Sequence, residues 1–228
     1  MQADQNSDFA ASARRTIQIE TDAVAALIQR VGADFDKACS LLLATEGRVI
    51  VTGIGKSGHI AGKIAATLAS TGTPSFFVHP GEASHGDMGM ITAADSVLAL
   101  SNSGTTPELL TLLPLLKRQG NVLVSMTGNP GSTLAQAADA HLDTSVTTEA
   151  CPLDLAPTSS TTAVLVMGDA LAIALLEARG FTAEDFAFSH PGGALGRKLL
   201  LKVEDVMAIG DAVPAVRADT SLAQALLE

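Results

Sequence analysis

Two kinds of hydrophobic rhythm alternate along this chain. Short runs rich in β-branched residues, at 48–52, 75–78, 96–100, 121–126 and 141–143, read as strands, and each is followed by turn residues and then by apolar positions at helical spacing. Strands that alternate with helices in this way predict an α/β fold, a five-stranded parallel sheet flanked by helices with right-handed crossovers. Ahead of the first strand, residues 9–45 carry Ile17, Val24, Leu27, Ile28, Val31, Phe35, Ala38 and Leu42 near one helical face. Gly32 interrupts the run, which predicts two helices or one with a break. After the last strand a long polar loop leads into a helix over about 157–179, closed by Gly180, whose stretch from Ala163 to Leu176 is apolar nearly all round. Such a helix has no solvated face, so it is central to the core or covered by another subunit. Residues 181–188 predict a further helical turn.

The first strand, Val49-Ile-Val-Thr-Gly53, runs into Ile54-Gly-Lys-Ser-Gly-His59, and a first crossover helix is expected from about Gly58 to Ser70. Glycines at 53, 55 and 58 let backbone N–H groups crowd toward a ligand, and the positive end of the following helix faces the same place, so the turn favours an anion. Lys56 adds a full charge and Ser57 a hydroxyl donor. The spacing Gly53-x-Gly55-x-x-Gly58 fits the dinucleotide fingerprint, but that motif also needs an acid roughly 20 residues on, at the end of the next strand. The next strand ends in His79-Pro80. Gly55-Lys56-Ser57 matches the end of a nucleotide P-loop, yet Ile50 stands where its first glycine belongs. Both nucleotide readings lose ground to a smaller phosphorylated ligand.

The strongest local phosphate signal is Ser101-Asn-Ser-Gly-Thr-Thr106. Ser101, Ser103 and Thr106 gather hydroxyls beside the free N–H groups of a helix that Pro107 opens, with Thr106 as a suitable N-cap. The Gly53–Ser57 turn, the loop His79-Pro-Gly-Glu-Ala-Ser-His-Gly-Asp87 and the Ser101–Thr106 turn each follow a strand, so all should open on the carboxyl edge of the sheet, where such folds bind ligands.

At 228 residues and 47% hydrophobic content the chain can bury a full core. Its net charge of −10, only 14 Lys and Arg, and the absence of Trp and Tyr argue against a nucleic-acid partner. The polar start lacks the features of a signal peptide, and the longest nearly apolar run falls short of the 18 or more residues of a membrane span, so a cytoplasmic protein without a membrane partner is expected. Two cysteines, Cys39 and Cys151, are too few for a disulfide framework and are expected as reduced thiols. His59 and His141 suggest no role.

Six ordered motifs carry a resemblance: Gly55-Lys-Ser-Gly-His59, the 79–87 loop, Ser101-Asn-Ser-Gly104, Glu149-Ala-Cys-Pro152, Leu155-Ala-Pro-Thr-Ser-Ser-Thr-Thr162 and Ser189-His-Pro-Gly-Gly-Ala-Leu-Gly196. Together they resemble the sugar-isomerase (SIS) domain of bacterial D-arabinose 5-phosphate isomerases, over about residues 10–205. The resemblance implies a flavodoxin-like three-layer sandwich and an aldose-ketose isomerase that interconverts D-ribulose 5-phosphate and D-arabinose 5-phosphate through an enediol, supplying Kdo for lipopolysaccharide. It also implies a cytoplasmic homotetramer with sites at subunit boundaries and no required cofactor. By motif position it assigns catalytic roles to Lys56, Glu108, Glu149 and His190. It places substrate contacts on Gly72, Thr73, His79, the span from Thr111 to Gly120, and Ser145, Val146 and Thr147, with His85 also in the site; Ser57, Ser101, Ser103 and Thr106 join them from the two anion-binding turns. His79 is also where an inhibitory zinc would bind.

Thr105-Thr106-Pro107 stands where many relatives have Glu-Ser-Ser. Residues 206–228 resemble the incomplete start of a CBS module, which is expected to pack loosely. The residue types suit the chemistry: moving a carbonyl between C1 and C2 needs a base beside it, a cation for the enediolate and proton return to the neighbouring carbon. Glu149 and Glu108 are the candidates for base and shuttle, Lys56 for the cation, and His190 for acid/base work at the oxygens or in ring opening. A phosphosugar-sensing SIS regulator and an isomerase of another sugar phosphate are the competing readings.

Overall fold

A computed structural model describes residues 8–190 and 202–227. Five parallel strands form the sheet: β1 (Val49–Gly53), β2 (Ser75–Val78), β3 (Ser96–Leu100), β4 (Val122–Thr127) and β5 (Ala140–Asp143), in the order β2-β1-β3-β4-β5. Every neighbouring pair is parallel. Strand order therefore reverses between β1 and β3, whose carboxyl ends lie side by side at the switch point.

Period-two side chains divide the core between the two faces of the sheet. Val49, Val51, Leu98, Leu100, Val124 and Met126 face one cluster, which is completed by α2 (Ala33–Leu43), α3 (Gly55–Ser70) and α8 (Ser159–Arg179). Ile50, Val97, Ala99 and Leu123 face the other, covered by the short helices α4 (Pro80–Ala83), α5 (Pro107–Leu110), α6 (Leu113–Gln119) and α7 (Thr133–Ala137). The first helix, α1 (Phe9–Leu27), packs on α8.

Several boundaries differ from the sequence reading. Helix α3 begins at Gly55, so Lys56 and Ser57 occupy its first turn instead of a loop before it. The 79–87 loop winds into α4 and a 3₁₀ turn at Asp87–Met90. Of the apolar face expected over 9–45, Leu27, Phe35, Ala38 and Leu42 are buried, whereas Ile17, Ile28 and Val31 are exposed. The break is as expected: a 3₁₀ turn at Ile28–Arg30, then Gly32 as the cap of α2. Cys39 and Cys151 are free thiols.

At 21 residues α8 is long and apolar enough to cross a membrane, contrary to the count of its apolar run. Half of that apolar window is buried inside the protein, against α1, α2 and α3, as in a core helix. The chain divides after Phe181 into two compact units. Within the second, α9 (Ala183–Ser189) starts at a capping box in which Thr182 and Asp185 satisfy each other's backbone, and two single-turn helices, Val203–Val206 and Leu222–Ala225, leave their side chains largely exposed.

Helices α3 and α8 meet at Gly168, where an added Cβ would lie 2.3 Å from Cδ1 of the fully buried Ile64. A branched side chain there forces the buried Ile64 side chain out of its place or the two helices apart. Gly168→Val is expected to cost about 2 kcal/mol, a fall in Tm of roughly 4–8 °C, measurable by thermal unfolding followed by circular dichroism.

Candidate functional site

At the switch point the chain folds back on itself tightly. A Cβ on Gly58 would lie 2.8 Å from the carbonyl oxygen of Gly53, so glycine at this position lets α3 press against the end of β1. Two glycines of the apparent dinucleotide fingerprint thus serve backbone packing, which explains the motif without a dinucleotide. Beside this turn lies a cleft of about 280 Å³ lined by Lys56, Ser57, Asn102, Pro157, Ser160 and Thr161, with Ile54, Ile60 and Val164 as its apolar floor. Three elements far apart in sequence build it: the first turn of α3, the turn after β3 and the first turn of α8. The amino ends of two long helices therefore open on one space beside a lysine, a setting suited to negative charge.

The turn after β3 is held from within. The Ser101 hydroxyl is buried, hydrogen-bonded to that of Thr106 at 2.7 Å, and accepts the Gly104 N–H at 3.0 Å. Thr106 is the N-cap of α5 by position, but its hydroxyl goes to Ser101 in place of the helix. Backbone bonds from Gly128 N to Asn102 O (2.9 Å) and from Leu134 N to Gly104 O (3.0 Å) tie the turn to the end of β4 and to α7. Ser101 thus shapes the turn, while Ser103, whose hydroxyl accepts from Thr105, stays exposed on it. Glu108 follows in the first turn of α5, exposed to solvent.

Glu149 is bound more firmly. Its Oε2 accepts from the Thr158 N–H at 2.7 Å, the Thr158 hydroxyl at 3.1 Å and the Ser160 N–H at 3.2 Å, and its Oε1 accepts from the Ser160 hydroxyl. The carboxylate thereby does for α8 what a capping side chain does, from a loop nine to eleven residues upstream. Burial pushes its pKa up, but the hydrogen bonds from Ser160 and Thr158 outweigh that and hold the carboxyl below the usual range. Glu149 is thus an ionised carboxylate placed one hydrogen bond behind the cleft, since Ser160 lines it.

The remaining expected site residues lie elsewhere. Gly72 and Thr73 precede β2 and so stand at the amino edge of the sheet, where Thr73 accepts from Arg179 Nε at 3.1 Å and Gly72 packs under the Phe181 ring. Thr111 ends α5, its hydroxyl donating to Glu108 O at 2.9 Å, and Gly120 ends α6 at the amino edge before β4. Ser145, Val146 and Thr147 line a second cleft of about 280 Å³ against α1, shared with Arg30. That arginine donates to Ser145 O and pairs with Asp143 at 3.6 Å.

His79 caps α4, with Nδ1 accepting the Gly81 N–H at 3.2 Å, so Nε2 is the nitrogen it could offer a metal; His85 is exposed. Among the described residues no three His, Cys, Asp or Glu side chains gather to hold an ion, so His79 alone does not make a zinc site within this subunit. His190 belongs to the second unit, stacked on Phe186 at 4.0 Å between ring centroids with Nδ1 3.0 Å from Phe186 O, and residues 191–196 of its motif lie outside the described residues.

Sequence reasoning assigned no function to Asn102, Thr158, Ser160, Thr161 or Arg30. The run Thr158-Ser-Ser-Thr161 was a visible signal, since four hydroxyl side chains at the start of a long helix exceed what one N-cap needs.

Comparison with known proteins agrees with this architecture. The SIS domain signature matches residues 42–174. The arabinose 5-phosphate isomerase KdsD of Pseudomonas aeruginosa is 72% identical over all 228 residues, which span 70% of its length. KdsD of Escherichia coli K12 is 59% identical over 97% of this chain and 67% of its own. A protein of Escherichia coli CFT073 solved in complex with arabinose 5-phosphate superposes with a TM-score of 0.79 at 46% identity, covering 82% of this chain and all of that one. The Vibrio vulnificus NanR protein complexed with ManNAc-6P, at 16% identity and a TM-score of 0.64 over 86% of this chain and 71% of its own, shares the fold alone. With the signature over more than half its length and relatives this similar from end to end, the chain belongs to the SIS domain family, among the arabinose 5-phosphate isomerases.

Proposed function

We propose that the chain catalyses the reversible isomerisation of D-arabinose 5-phosphate and D-ribulose 5-phosphate. The observation that carries this reading is the cleft at the β1/β3 switch point, where Lys56 and the amino end of α3 stand ready for an anion and an ionised Glu149, capping α8, lies one hydrogen bond away. Lys56 offsets negative charge on the phosphate and on the developing enediolate. Glu149 takes the proton from the carbon beside the carbonyl. The electrons of that C–H bond form the enediolate double bond, and the proton returns to the neighbouring carbon, with Glu108 as the exposed shuttle on the adjacent turn. His190 serves proton transfer at the sugar oxygens or in ring opening. One carbon is oxidised as its neighbour is reduced, so the sum needs no external oxidant.

Gly72 and Thr73 at the amino edge, and Ser145–Thr147 on the second cleft, do not meet the switch-point cleft within one subunit's sheet edge. A homotetramer in which neighbours complete each site accommodates their assignment as substrate contacts. We assign the enzyme to the cytoplasm, feeding Kdo synthesis, with no cofactor required. Zinc acts as an inhibitor through His79 Nε2, its other ligands coming from beyond this subunit's described residues.

Incubating the purified protein with ribulose 5-phosphate should yield arabinose 5-phosphate, identified by chromatography against authentic pentose and hexose phosphates; conversion of only a hexose phosphate, or of nothing, overturns the reading. Glu149→Gln and His190→Ala should each lower kcat by about 10²–10⁴-fold with an unchanged far-ultraviolet circular dichroism spectrum. Added zinc should inhibit the wild type in steady-state assays, and His79→Ala should remove most of that inhibition.

A further inference from the structure

The hydrogen bonds around Glu149 are distributed unevenly between its two oxygens. A carboxylate offers about four acceptor sites, two on each oxygen. Three donors converge on Oε2: the N–H and hydroxyl of Thr158 and the N–H of Ser160. Only the Ser160 hydroxyl reaches Oε1. Oε2 is thereby saturated, and one site on Oε1 is left unused. Ser160 is buried, yet it lines the cleft, so the unused site belongs to the oxygen bonded to the cleft wall.

We propose that Thr158 and Ser160 are positioning residues for the isomerisation, which hold Glu149 so that Oε1 is the single atom free to take the substrate proton. This rests on Glu149 being the base. The cradle fixes the carboxylate against the start of α8, so little side-chain freedom is left to lose when substrate binds. It also sets the pH range in which the base works. The donors favour the charged form, in agreement with the downward displacement of Glu149 against its burial. A carboxyl with a lowered pKa stays ionised further into acid, so the base remains competent until the pH falls through its folded value. Removing a donor raises that value and makes activity fail at higher pH. The hydrogen transferred from carbon forms the new Oε1–H bond, and the electron pair it leaves becomes the enediolate, so the step balances within substrate and enzyme.

The decisive measurement is the pH profile of kcat/KM for the wild type, Ser160→Ala, Ser160→Thr and Thr158→Val, with Glu149→Gln as reference. Ser160→Ala should move the acidic limb to higher pH, so that relative to wild type more activity is lost below pH 5 than at pH 8. Ser160→Thr, which keeps a hydroxyl, should restore most of the limb. Thr158→Val should shift it in the same direction by less, because the Thr158 hydroxyl, 3.1 Å from Oε2, makes a longer hydrogen bond than the Ser160 hydroxyl makes to Oε1. Three acidic limbs that overlay the wild type, with Glu149→Gln inactive, overturn the cradle and leave the isomerase reading standing. Full activity of Glu149→Gln instead removes the base assignment on which both rest. If Ser160→Ala fails to fold, the Thr158→Val profile decides the question alone.

Discussion

The site depends on the direction of two helices. Helix α3 starts where β1 ends and α8 starts after the polar loop that follows β5, and their packing through Gly168 and Ile64 holds both amino ends at the same edge of the sheet. Each end carries N–H groups without helical partners, equivalent to roughly half a positive charge. In a protein whose net charge is −10, this edge nonetheless gathers positive charge from Lys56 and the α3 end, while Glu149 offsets that of α8. An anion is required there for the arrangement to be favourable. The chain supplies one, the carboxylate of Glu149, and leaves room for one from outside.

Much of this was legible in the residues. Each strand expected from β-branched runs exists within one residue of its predicted ends, because a strand buried on both faces of a parallel sheet must be apolar throughout and turn residues must punctuate it. The Ser101–Thr106 turn is real, and its hydrogen bonds explain why those residues are small and hydroxylated. Periodicity failed on the first helices, where Ile17, Ile28 and Val31 share a face by spacing but not by burial. A hydrophobic pattern states that a surface is to be covered and does not state by what.

The site was legible only in part for a related reason. Lys56 and Ser57 could be placed because the strand that orients them is adjacent in sequence. The partners of Glu149 lie nine and eleven residues away across a loop of irregular structure, and no local rule predicts that a carboxylate from such a loop will cap the helix that follows it. The amino-edge placement of Gly72 and Thr73 was implicit in their position before β2, a consequence of parallel topology that the motif match alone does not convey.

Because Glu149 already occupies the start of α8, the two helix ends are not equivalent partners for a ligand. Negative charge entering from solvent is repelled from one end of the cleft and welcomed at the other, beside Lys56 and the opening turn of α3. The cavity therefore has a polarity, like a socket that accepts a plug only one way round. For a short molecule with one anionic terminus, this charge distribution favours a single sense, with the charged end beside Lys56.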